Sequence, residues 1–320
     1  MTMKSLIGTL ILCILLVGNA IADPTYRVFV TNEADDTVSV IDSRTNQVET
    51  TINVGERPRG IGFSPDRAFV YVALGEDNAI GVIDTKTLKV IKSIPSGSDP
   101  EAFAVHPNGH IYLSNEDDNQ ASVLDPSNGE ILAEIPVGIE PEGVGITPDG
   151  KQVMVTSEST NMVHVISIPD HKPIANVLVG ARPREVTFSD DGKWGYVTSE
   201  IGGEVAKMEI ATSKIVKTVK LKSIKKVKPK GVLLSRDQKT LYVSTGRANQ
   251  IALLDADSLE LQTTIPVGKR VWGIALSRDG SRLYTCNGVD NTVSVVDTAA
   301  QKEIAKISVG DKPWGVVIDD

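Results

Sequence analysis

Seven dissimilar residues occupy one recurring place in this chain. Arg59, Glu101, Glu142, Arg184, Lys230, Trp272 and Trp314 follow one another at intervals of 42, 41, 42, 46, 42 and 42 residues. Each precedes a position held by Gly60, Ala102, Gly143, Glu185, Gly231, Gly273 or Gly315, and all but Trp272 follow a proline. Proline and glycine at fixed places serve backbone geometry, so the varied residue between them is where chemistry can differ from unit to unit. A second set, Glu116, Glu158 and Glu200, keeps the same period, with Glu33, Gly75, Gly246 and Gly288 at equivalent places. Carboxylates beside guanidinium and ammonium groups can move protons and hold a developing oxyanion. The two tryptophans offer the apolar wall that small-molecule sites join to a few convergent polar groups.

These side chains meet only if the chain brings equivalent positions to one place. A phrase of the form V-G-x-x-P-x-G, then S-P-D-G, then Y-V-T-N recurs seven times, and 40–45 residues per unit is the length of one four-stranded propeller blade. In one unit, Gly60 to Phe63 reads as a short inner strand and Ser64-Pro65-Asp66 as a turn. Ala68 to Leu74, Ile80 to Asp84 and Val90 to Ile94 read as three further strands. Helical periodicity is absent. The chain opens on a second-type strand at Tyr26 to Val30 and closes on a first-type strand at Gly315 to Asp319. Joined, they complete one blade and leave no open sheet edge. The expected fold is therefore all-β, a seven-bladed β-propeller with four antiparallel strands per blade. Links from fourth to first strand and from second to third emerge on the same face, so both residue sets fall at one mouth of the channel.

Residues 1–22 read as a signal peptide: Lys4, an apolar run from Leu6 to Val17, then Ala20-Ile21-Ala22 before Asp23. The run is short for a bilayer span. Residues 23–320 then form the propeller, expected to be periplasmic or secreted, monomeric and without a stable membrane anchor. The formal net charge of −8, one unit more negative without Lys4, argues against nucleic acid as a partner. Cys286 is the only thiol after the leader and shares its repeat position with Thr31, Ala73, Ser114, Thr156, Thr198 and Ser244. It reads as a small buried residue, with no disulfide possible within the mature chain.

Motifs for haem attachment, paired cysteines, zinc hydrolases, the nucleophile elbow and the P-loop are all missing. His106, His110, His164 and His171 are scattered over different turns and strands. The motifs thus imply no catalytic residue, no metal and no cofactor. Asp42, Asp84, Asp125, Asp255 and Asp297 end third strands, and Asp66, Asp149, Asp191, Asp237 and Asp279 sit in turns; both sets read as turn caps. One run departs from the overall charge: Lys214, Lys217, Lys220, Lys222, Lys225, Lys226, Lys228 and Lys230 have no acid between them, and the four extra residues of the 46-residue interval fall here. Lys222, Lys225, Lys226 and Lys228 read as a docking patch for an acidic partner, or as lysines defending a strand edge.

The phrases Phe29-Val30-Thr31-Asn32, Tyr112-Leu113-Ser114-Asn115 and Tyr196-Val197-Thr198-Ser199 resemble the YVTN-type bacterial β-propellers. More narrowly, the chain is similar to exported propellers associated with pyrroloquinoline-quinone-dependent alcohol catabolism. The stretches that carry this are R-P-R-G-I-G-F-S-P-D (57–66), H-P-N-G (106–109), N-E-D-D-N (115–119), P-E-G-V (141–144), T-S-E-S-T-N-M (156–162), R-P-R (182–184), T-S-E-I-G-G (198–203) and V-G-K-R-V-W (267–272). The segment 222–230 departs from that pattern. The resemblance implies a setting beside quinoprotein dehydrogenases and assigns no catalytic residues.

Two functions follow as expectations. The first is an exported, non-catalytic propeller that binds a periplasmic protein partner or small ligand at its mouth, accessory to quinone-dependent alcohol oxidation. The alternative is a lactonase-like hydrolase using Glu116, Glu158 or Glu200 as acid or base, with Arg184 stabilising the anion. Fold alone does not choose between them.

Overall fold

The computed structural model describes residues 24–320; the expected leader, 1–22, lies outside them. Seven four-stranded antiparallel sheets surround an axis, and the sheet containing Arg27–Asn32, Thr37–Asp42 and Gln47–Asn53 takes its innermost strand from the other end of the chain, Pro313–Asp319. The expected closure is therefore present. Asp319 strengthens it: its carboxylate accepts hydrogen bonds from the Thr25 amide and hydroxyl at 2.7 Å each, and pairs with Arg67 at 2.8 Å. The only helical element among the described residues is one 3-10 turn, Ile210–Thr212.

Middle strands such as Phe69–Leu74 and Ala79–Asp84 are buried on both faces. Each is sandwiched between neighbouring blades, so β-branched and aromatic side chains fill both sides. One such inter-blade core joins Phe29, Val38 and Val40 to Val70, Val72 and Leu74. The repeated aspartates cap turns: Asp84 accepts from the amides of Lys86 and Thr87, and Asp66 from that of Ala68.

Two devices aim the mouth residues. The innermost strand of nearly every blade carries a bulge where Arg59 and its equivalents sit, as between Pro58 and Ile61, Pro100 and Phe103, or Pro183 and Val186. A bulge re-aims the local side chain and commonly lies beside functional sites. The hydroxyl of the YVTN-type phrase then fixes the next blade's mouth residue through its carbonyl. Thr31 donates to Arg59 O at 2.8 Å, Ser114 to Glu142 O at 2.6 Å, Thr156 to Arg184 O at 3.1 Å and Ser244 to Trp272 O at 2.7 Å. Thr198 likewise donates to Lys230 O. The position read as merely small is thus an inter-blade latch in five blades; Ala73 has no donor there, and Cys286 makes no such bond. Cys286 is fully buried, and that burial pushes its thiol upward.

Candidate active site

The mouth residues form two charged clusters and an aromatic one. In the first, the fully buried Glu101 carboxylate is held by Arg59 and by Arg57 at 3.0 Å. Arg59 also pairs with Glu33 at 2.9 Å and reaches Glu116 at 4.0 Å. Burial alone would pull the Arg59 guanidinium down, but Glu101, Glu142 and Glu33 raise it, so it stays charged. Glu116 behaves oppositely. Burial first, then the hydrogen bond and charge of Glu101, push its carboxyl up to about 8. Glu101 Oε2 has no hydrogen-bond donor among the described residues, and the Glu116 carboxyl lies close by.

Asp99, Glu101 and Glu116 bring ligand oxygens within 4.8 Å of one another. Arg57 and Arg59 already neutralise that group, with Arg57 pairing to Asp99 as well, which disfavours a cation there.

In the second cluster Glu142 accepts from Arg184 at 2.6 Å and from Lys230 at 3.0 Å. Burial opposes its charge, yet Arg184, Lys230 and Arg59 together hold it down to about 2. Arg184 also pairs with Glu158, which Arg182 grips from its other side. Glu200 is looser, 3.4 Å from Arg182 and 3.8 Å from Arg184. Of the three acids weighed as acid or base, Glu158 is clamped between Arg182 and Arg184, Glu200 lies at the edge of that cluster, and Glu116 is the one whose carboxyl is pushed up to about 8.

An open apolar sector was expected at the tryptophans, and the structure corrects that. Lys230 Nζ lies 3.8 Å from the Trp272 ring centre and 4.2 Å from that of Trp314, and the two indoles are 6.3 Å apart. The aromatic faces hold an ammonium rather than forming a bare wall. Burial, with Arg184 close by, pulls Lys230 down to about 7 against the pull of Glu142. Lys230 therefore belongs to the mouth and not to the lysine patch. Lys222, Lys225 and Lys226 are exposed on the link into the sixth blade, and Lys228 is half-buried beside them.

Space remains in two places. A pocket of about 240 Å3 lies at the rim, lined by Glu33, Arg59, Arg270, Trp272, Lys312 and Trp314 among others, over the floor left by Gly288. A Cβ at Gly288 would stand 3.0 Å from the Trp272 ring. The buried indole N–H of Trp314 has no acceptor. Beneath, a channel cavity of about 130 Å3 touches Glu142, Arg184, Lys230 and Glu185. Glu185 escaped the sequence argument because its place in the repeat was assigned to backbone geometry. The signal was present, since Gly or Ala fills that place in every other unit.

Comparisons with known proteins bear on what this mouth does. A family model described as lactonase, 7-bladed β-propeller, matches residues 141–309, more than half of the chain. A YNCE-like β-propeller model matches residues 89–192. No curated protein sequence matches. Among solved structures, a hydrazine synthase of Kuenenia stuttgartiensis superposes with a TM-score of 0.78 at 23% identity, covering 88% of this chain and 94% of its own. A candidate 6-phosphogluconolactonase of Bacteroides fragilis gives 0.77 at 20% identity, covering 92% and 99%. A second, from Bacteroides uniformis, gives 0.76 at 19%, covering 91% and 98%. At such identities these structures share the fold. The family match overturns the expectation of a non-catalytic binding propeller and backs the hydrolase set beside it. The chain belongs to the lactonase family of seven-bladed β-propellers.

Proposed function

We propose that this protein is a hydrolase that opens lactones at the channel mouth. The observation that carries the reading is Glu116, a partly exposed carboxyl that keeps its proton near neutral pH beside the fully charged Arg59. Ring opening needs a base for the attacking water, a positive group for the carbonyl oxygen, and an acid for the departing ring oxygen. Glu33, Arg59 and Glu116 are the three groups we assign to these roles. Glu33 and Arg59 line the rim pocket, and Glu116 meets Arg59 from the other side. Glu33 is salt-bridged to Arg59 and Glu116 is pushed up to about 8, so a carboxylate and a carboxylic acid lie on either side of one guanidinium.

The substrate class we infer is a lactone bearing an anionic group. Arg270 and Lys312 line the same pocket and have no carboxylate partner among the described residues. The exposed Lys222, Lys225 and Lys226 add positive potential on that face, which would steer an anion inward. The indoles of Trp272 and Trp314 border the same pocket. Residues 1–22 and the similarity to propellers of quinone-linked alcohol catabolism support export as its setting.

The test is a panel of matched neutral and phosphorylated or carboxylated lactones assayed with the full chain. The anionic members should show kcat/KM at least about ten-fold higher at low salt, with the advantage shrinking as salt rises. Equal rates for both classes at all salt concentrations would remove the anionic assignment.

A further inference from the structure

Glu185 and the four inserted residues mark the same joint of the ring. The repeat interval is 46 between Glu185 and Gly231 and 41 or 42 elsewhere. At the glycine joints a side chain is costly: a Cβ at Gly60 would lie 2.8 Å from the Glu101 carbonyl oxygen, and one at Gly231 would lie 2.9 Å from that of Trp272. At the Glu185 joint the facing innermost strand is cut to Val232–Leu234, and the longer link replaces its start. The ring is thus relaxed where the carboxyl enters the channel.

Several charged groups face that carboxyl. Arg184 comes from its own strand, Glu142 from the preceding blade, Lys230 from the following link, and Val232 presents its amide. Burial outweighs the pull of Lys230 and Arg184 and raises Glu185 to about 7. The walls below are apolar or glycine, including Phe103, Val144 and Ile274. Phe103, Val144, Thr187 and Phe188 are each partly exposed, so water can reach the channel beside this cavity. The cavity of about 130 Å3 has room for roughly four waters at about 30 Å3 each.

We propose that Glu185 is the proton exit of this site, a relay residue that takes the proton each hydrolysis releases and passes it to water in the central channel. The inference rests on the hydrolytic reading. When a lactone opens, the water oxygen bonds to the carbonyl carbon and one water proton goes to Glu33. The ring C–O bond breaks, and its oxygen leaves with the proton from Glu116. The proton on Glu33 resets Glu116. The new carboxylic acid ionises at neutral pH, so one proton per turnover must leave. Above the mouth it meets the ion-paired rim. Lys230 and Glu185 instead border one cavity with room for water.

The experiment compares wild type, Glu185→Gln and Glu185→Gly, the last restoring the residue most other units carry and so guarding against misfolding. Steady-state hydrolysis is measured in dilute buffer and again with added imidazole, and carboxyl titration is followed by infrared difference spectroscopy. Both variants should lose about ten-fold or more in kcat in dilute buffer, keep KM, and recover with imidazole. Wild type should show, beside the Glu116 band that Glu116→Gln removes, a second protonated-carboxyl band that titrates near neutral pH and is missing from Glu185→Gln. Unchanged kcat, or a loss that imidazole does not restore, overturns the relay. A wild type that opens no lactone overturns the hydrolytic reading and the relay's role in turnover. The infrared arm then judges the proton site alone: the second band supports it, and its absence overturns it.

Discussion

Glu142 lies 3.0 Å from Lys230 although 88 residues separate them in the chain, and this pair shows what holds the mouth rigid. Both groups are at least nine-tenths buried, as is Arg184. Removing one member of a buried ionic network leaves its partners uncompensated, at a cost of about 3–5 kcal/mol. Glu142→Gln should therefore lower the unfolding free energy by about that amount in urea titrations, whereas a change within about 0.5 kcal/mol would mean the network contributes little. The repeat indicated which residues would gather at the mouth. It did not indicate who pairs with whom, because partners depend on angular position around the ring. Nor did it reveal the ammonium between the indoles, since an aromatic pair and a cation are three separate letters at distant places. Glu185 was hidden for another reason: the same rule that found seven varied residues treated its neighbour position as backbone geometry.

At the scale of the element, the bulge and the latch are one device. The bulge turns the mouth residue toward the axis, and the hydroxyl of the neighbouring blade fixes its carbonyl. Thr156 serves both sides, accepting from Gly143 N at 2.8 Å and donating to Arg184 O at 3.1 Å. Thr156→Val keeps the shape and removes both bonds, leaving buried backbone groups unmet. The expected loss is about 1–3 kcal/mol; an unaltered melting curve would contradict the latch. Strand order and turn chemistry were readable because each strand is short, β-branched and bounded by Pro, Gly and Asp. The latch was not, because Thr, Ser, Ala and Cys at one position look alike as small residues until a carbonyl is found opposite.

The whole molecule depends on one seam. Pro313–Asp319 completes the blade begun at Arg27–Asn32, and Trp314 on that strand is part of the mouth. A chain ending at Lys312 would expose the edge of Arg27–Asn32 and lose Trp314 together. Such a truncation should unfold without a single cooperative transition and aggregate; a sharp melt at the wild-type temperature would show that the seam is dispensable. The central claim is the role of Glu116, and its most direct test is the pH dependence of lactone hydrolysis by wild type and Glu116→Gln. An acid held at about 8 is protonated below that pH and loses its proton above it, so wild-type kcat/KM should fall as pH rises past about 8. Glu116→Gln should lower kcat by about 10²–10⁴, keep KM within about two-fold, and lose that alkaline limb. A variant as active as wild type, with the limb intact, would contradict the account.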